Sequence, residues 1–166
     1  MSATLCASFQ AKLDEQIERT EHLIGLLPSE CLHATVPGSD WSAAMLLGHL
    51  LDCLAGFCAV LAAASPESLN HFTRLRDLPV NHACSAAEAR SRIGVYQAHI
   101  REGFRTITDA DLARLLPTVF VPQGETLLTL LLGNLEHLIN HKHQLFVLLR
   151  GIGCPVATAD LYCLRG

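Results

Sequence analysis

His49, His137 and His141 have the residue type and spacing best suited to chemistry in this chain. His137 and His141 stand at i and i+4 of an apolar C-terminal segment, so a helix there brings both imidazoles to one face. A third imidazole from another helix, His49, would complete a facial three-nitrogen set for a divalent cation. Such a set leaves a coordination position open to water or substrate, which separates catalytic zinc-type sites from structural ones. A lone histidine on an apolar face is more commonly a hydrogen-bonded core or rim residue. The i, i+4 pair by itself leaves both readings open.

The neighbours of these histidines sharpen the chemistry. Asp52, one turn after His49, is placed to act as a general base or to orient an imidazole, with a plain surface carboxylate as the equal alternative. Gln144, one turn after His141, can hydrogen-bond a ligand or support the pocket. Cys53, four residues after His49, shares its helical face, and packing is the expected role of such a cysteine. His143 lies about 200° around the helix from His141, on the outer face. In a zincin a glutamate follows the first histidine as general base, whereas Leu138 follows His137 here, so that protease mechanism is unsupported. No glycine-rich phosphate loop and no G-x-S-x-G elbow occurs. His22, His33, His71, His82 and His99 have no partner at ligand spacing and are expected at the surface or rim.

Helices must position these groups, because the apolar period is helical nearly throughout. Phe9, Leu13, Ile17, Ile24 and Leu27 mark a first helix stopping near Pro28, followed by a polar connection to Asp40. A second runs from about Trp41 or Ser42 to Ala64, with Asp40 or Ser42 as cap, and carries Met45, His49, Asp52, Cys53, Gly56 and Val60 on one face. Residues 65 to 84 read as an irregular crossover that could include a short helix. The third helix enters through a Ser85 and Glu88 capping box and presents Ile93, Tyr96, Ile100, Phe104 and Ile107. A turn at Asp109 and Asp111 ends at Pro117, and Thr118 to Gly124 reads as a loop. The last long helix spans about Glu125 to Arg150 and aligns Leu130, Gly133, Asn134, His137, His141, Gln144 and Leu148. Gly56 and Gly133 would let the second and fourth helices approach closely. The predicted fold is therefore an all-α four-helix bundle over residues 1–153, with a tail at 154–166 and a long crossover between helices 2 and 3.

Composition bounds the function. A chain of 166 residues suits one domain with a sizeable core. Half the residues are hydrophobic, 17% are charged and the mean hydropathy is +0.31, a surplus of apolar surface of the kind that closes subunit interfaces. With 16 acidic against 12 basic side chains and no basic cluster, nucleic acid is not an expected partner. Leu46 to Ala64 is the most membrane-like stretch, but His49 and Asp52 lie inside it, so a buried bundle helix is expected rather than a span. The N-terminus shows no export signal, and seven cysteines without a CxxC argue for a reducing cytoplasm rather than a disulfide framework.

The segment Trp41-Ser42-Ala43-Ala44-Met45-Leu46-Leu47-Gly48-His49-Leu50-Leu51-Asp52 resembles the tryptophan-to-histidine motif of DinB/YfiT-like proteins. Their second motif, a histidine four residues before a His-Arg-Gly-Gln run leading to Leu-Arg and a glycine, resembles His137 through Gly153, with His141, Gln144, Leu149, Arg150 and Gly153 in register. The resemblance covers most of the chain. It implies an up-down-down-up bundle, usually a homodimer, with a divalent metal held by His49, His137 and His141. Zinc or nickel is favoured, with iron or manganese as alternatives, since imidazole serves all of them. It further implies a small-molecule substrate and one of two activities, metal-assisted hydrolysis or transfer of a low-molecular-weight thiol onto an electrophile. A non-catalytic bundle that binds metal or a small ligand, as a sensor or structural dimer, is the alternative. Lys142 and His143 depart from the family by standing where it often has Arg and Gly, which would alter the pocket rim or the helix packing.

Overall fold

Each long helix begins at a hydroxyl cap. Thr4 accepts from Ala7 N–H at 3.2 Å and opens α1 (Leu5–Gly25). Ser42 accepts from Met45 N–H at 3.3 Å and opens α2 (Ala43–Ala64). Ser85 accepts from Glu88 N–H at 3.2 Å at the head of α3 (Ala86–Phe104), and Thr126 from Thr129 N–H at 3.1 Å at the head of α4 (Leu127–Gly151). Caps of this kind stabilise by about 1 kcal/mol each. The computed structural model describes residues 4–71, 83–118 and 121–162, so most of the expected crossover, with His82, lies outside the described residues.

End-to-end contacts give the helix directions. The start of α1 meets the segment after α3, where Asp109 accepts from Leu5 N–H and Cys6 N–H, both at 2.9 Å, so α1 and α3 run oppositely. Cys84 N–H donates to Ala44 O at 3.1 Å and Thr106 reaches Ser65 at 3.0 Å, so α2 and α3 run together. His49 pairs with His137 while Gly56 faces Asn134, so α2 and α4 are antiparallel. The result is the up-down-down-up bundle, in which α1 and α2 each pack on both α3 and α4.

The apolar stripes meet in one core. Leu13 and Ile17 of α1, Leu50 and Phe57 of α2, Ile93 and Tyr96 of α3, and Leu138 and Leu145 of α4 are all buried. Each such side chain contributes roughly 1.5–3 kcal/mol by leaving water. α2 is long and apolar enough to cross a membrane, but it is packed here as the helix between α3 and α4.

Four details differ from the sequence expectation. α1 stops at Gly25, before Pro28, and the connection contains a 3₁₀ turn at Ser29–Cys31. Glu125 lies outside the last helix, because Glu125–Thr126 (β2) pairs antiparallel with Leu115–Leu116 (β1), a ladder too short to leave a periodic signal. The tail contains a short helix, α5 (Thr158–Leu161), lying against α1 with Asp160 2.7 Å from His22 Nε2. Gly133 is exposed with nothing within 4 Å of an added Cβ, so of these two glycines Gly56 alone serves the approach of α2 and α4; a Cβ there would lie 3.1 Å from Asn134 Oδ1.

Asp109 caps α1 from 104 residues away, and the N–H groups of Cys6 and Leu5 hold its carboxyl below the usual range. Replacing Asp109 with alanine should fray the first turn of α1 and lower the thermal midpoint, while Asp109→Asn keeps an acceptor and loses less. Equal midpoints for the alanine variant and the wild type would refute the capping role.

Candidate metal centre

The site forms where the middle of α2 faces the middle of α4. His49 Nε2 lies 3.0 Å from His137 Nε2. Ring centroids are 5.0 Å apart for His49 and His137, 4.4 Å for His49 and His141, and 4.7 Å for His137 and His141. Three imidazoles from two helices thus face one another edge-on. Two nitrogens bound to one cation at about 2.0–2.1 Å would stand roughly 2.9–3.4 Å apart between right-angled and tetrahedral arrangements, so the His49 and His137 pair already matches such an edge.

Two of the three imidazoles, His49 and His141, are also held in a suitable ionisation state. Burial is the largest cause that lowers the pKa of His49, followed by the charges of His141 and His137, with Asp52 opposing. For His141 burial again dominates, and the Gln144 hydrogen bond opposes it. Both imidazoles are therefore held neutral, with lone pairs available, to a lower pH than an ordinary histidine. His137 is exposed, which leaves the centre open to solvent on that side.

The sign of the resulting pH dependence follows. An unfolded histidine gains its proton near 6.5, before the folded His49 and His141 do, so acid favours the unfolded chain. Metal-free protein should lose thermal stability as the pH falls through that value, and His49→Gln should lose less. A thermal midpoint independent of pH across this range would sink the assignment of depressed values.

The supporting groups are placed as follows. Gln144 Oε1 lies 2.7 Å from His141 Nδ1; when that nitrogen donates, Nε2 keeps the lone pair a cation needs. Asp52 lies with one carboxylate oxygen 3.8 Å from His49 Nδ1, too far for a hydrogen bond but close enough to favour a positive imidazole. His143 is exposed and stacks near Phe146, away from the centre. Lys142 takes no part in the pocket rim. It is buried on the side facing α1, where its Nζ donates to Gln16 Oε1 at 2.6 Å and to Leu161 O at 2.9 Å.

Two contributors carried no site role in the sequence reading. Trp41 stands 4.7 Å from His49 and stacks 5.6 Å from His141, centroid to centroid, walling two of the three rings. Val36 N–H bonds to Trp41 O at 2.9 Å and Trp41 N–H to Ser39 Oγ at 3.1 Å, which fixes the strap bearing the indole ahead of α2. Its signal was the conspicuous lone tryptophan eight residues before His49. The other contributor is Cys53. Its sulfur and the nearest nitrogens of His49 and His137 all lie within 4.8 Å of one another, a group that could hold a metal ion. His141 belongs to the ring cluster but not to that set of donor atoms, so ring distances and donor distances select different third members. Burial is the main cause that pushes the Cys53 thiol up to about 12, with the Asp52 charge adding to it. Spacing puts Cys53 on the His49 face, where packing is the role that sequence alone predicts.

The residues present fit a divalent cation. Imidazoles, a thiol and an oriented second layer supply borderline-soft donors in a partly open pocket.

The sequence matches the DinB superfamily over residues 12–145. No curated protein matches the chain. Among solved structures it is similar to the crystal structure of a DinB-like protein, YjoA of Bacillus subtilis, with a TM-score of 0.67 and 18% identity over 88% of this chain and 92% of that one. At that identity the likeness concerns the fold. The family match extends over most of α1 to α4 and takes in all three histidines, so the bundle and its facing imidazoles come together in one assignment: the chain belongs to the DinB superfamily.

Proposed function

We propose that this protein is a divalent-metal-dependent enzyme of small molecules, with His49, His137 and His141 as metal ligands. Its reaction is hydrolysis or the transfer of a low-molecular-weight thiol. The observation that carries the reading is the convergence of three imidazoles from α2 and α4, two of them with Nε2 atoms 3.0 Å apart. Zinc or nickel is favoured, with iron or manganese as alternatives, because imidazole ligands suit each of these ions.

When bound, the cation supplies Lewis acidity that lowers the pKa of a nucleophilic water or thiol at neutral pH. The chain supplies the rest. Gln144 sets the His141 tautomer, Trp41 shields two imidazoles from water, and substrate approaches from the exposed His137 side. Asp52 serves as general base or as the group that orients His49. The test is elemental analysis of protein purified without an affinity tag, followed by a thiol-consumption and hydrolysis screen with and without chelator. Activity that survives complete metal removal would overturn the reading.

A second reading, metal binding without catalysis, gains support from Cys53, because a fourth protein donor can close the shell of a structural or sensing site.

We also propose a cytoplasmic homodimer. All six described cysteines are free, which suits a reducing compartment. Leu132, Ile139 and Val147 form an exposed apolar stripe on α4 that suits a subunit interface. Light scattering should give twice the 18.0 kDa chain mass, and Leu132→Asp with Ile139→Asp should give a folded monomer. A wild-type monomer at micromolar concentration would sink the dimer.

A further inference from the structure

We propose that Cys53 is a ligand of this centre, its sulfur joining His49, His137 and His141, so that the chain alone can complete a four-coordinate shell around a thiophilic divalent cation. The proposal rests on the metal-centre reading above and extends it in donor set, coordination state and metal preference.

Position comes first. In a tetrahedral shell with bonds of about 2.0–2.1 Å to nitrogen and 2.3 Å to sulfur, neighbouring donors stand about 3.3–3.6 Å apart. The Cys53 sulfur and the two imidazole nitrogens already lie within 4.8 Å, so the set closes with side-chain adjustments of about an ångström. His141 lies outside that donor group, and its imidazole, 4.4 Å centroid to centroid from that of His49, must turn further to bring the fourth nitrogen.

The environment of the thiol comes second. Cys58 and Cys154 direct their S–H groups at backbone carbonyls, those of Tyr96 at 3.9 Å and Leu26 at 3.7 Å. Cys53 is 2% exposed and, like the buried Cys84, makes no such S–H contact among the described residues. Its sulfur lies beside the nitrogens of His49 and His137, which hydrogen-bond each other at 3.0 Å and would exchange that bond for a shared cation.

The consequences are chemical. On binding, the thiol proton is released to solvent and the thiolate cancels one of the cation's two charges. Sulfur shifts the preference toward zinc and away from manganese. With four protein donors the shell is closed at rest, and an external ligand must displace one donor or raise the coordination to five.

Cobalt(II) binding to the metal-free full-length protein tests this, because a thiolate ligand gives a sulfur-to-cobalt charge-transfer band in the near ultraviolet beside the visible bands of the ion. The wild type should show both at one equivalent. Cys53→Ala should keep the visible bands, lose the charge-transfer band and bind zinc more than about 100-fold more weakly, beyond the roughly 10–100-fold that an outer-layer partner alone is worth. Cys53→Ser, of nearly the same size, gives the same readout where the alanine variant does not fold. Cobalt bound by the wild type without the charge-transfer band, or a band that persists in both variants, overturns the role of Cys53 and leaves the histidine centre standing. A protein that binds no cobalt overturns both.

Discussion

Replacing His137 with alanine is expected to abolish stoichiometric metal binding while the chain keeps its helical content and its cooperative thermal transition. The two outcomes separate because His137 is exposed, and surface truncations cost within about 0.5 kcal/mol. Affinity has no such cushion. The variant removes the nitrogen 3.0 Å from His49 and leaves α4 with His141 alone. Outer-layer partners of a metal site are already worth about 10–100-fold in affinity, so a direct ligand should cost at least about 100-fold. Elemental analysis gives the first outcome and far-ultraviolet circular dichroism with a melt gives the second. Metal content equal to that of the wild type would remove His137 from the centre.

The bundle was legible because burial on a helix is a one-dimensional code. Leu13 and Ile17, or Ile93, Tyr96 and Ile100, announce a core-facing stripe by spacing alone, and Ser42 and Ser85 announce its start. The ladder between Leu115–Leu116 and Glu125–Thr126 was not legible, since two residues per strand show no alternation and the pairing depends on a turn between them.

The histidine trio was legible for the same reason as the core. Its surroundings were less so. Whether Cys53 packs beside the centre or joins it depends on the rotation of α2, because four residues carry the chain about 40° past a full turn. Trp41 walls the centre only because the strap from Val36 to Trp41 folds back ahead of α2, a turn geometry that helical spacing does not encode. Lys142 was the hardest residue to place. Next to His141 it reads as a rim residue, and only its partners on α1 and in the tail offset the cost of its burial.

That burial leads to the largest expected effect on stability. Lys142 is 2% exposed, and its ammonium holds Gln16 Oε1, itself on a buried side chain, and the carbonyl of Leu161 at the end of α5. Lys142→Met retains most of the side-chain volume but strips the donor from both acceptors, and each buried acceptor left unpaired costs about 1–3 kcal/mol. Relief from burying a charge offsets part of that, since an apolar replacement of a whole buried polar set can be neutral. A net loss of about 2 kcal/mol is expected, or roughly 4–8 °C in thermal midpoint for a chain of this size. The double variant Lys142→Met with Gln16→Leu should recover part of the loss, because it removes an orphaned acceptor together with its donor. The tail should respond before the bundle does. With the Leu161 carbonyl released, limited proteolysis should cut near α5 faster than in the wild type, while metal content stays unchanged because Lys142 points to α1 and not to the histidines. A Lys142→Met protein that melts with the wild type and resists proteolysis equally would show that these buried contacts hold neither the core nor the tail.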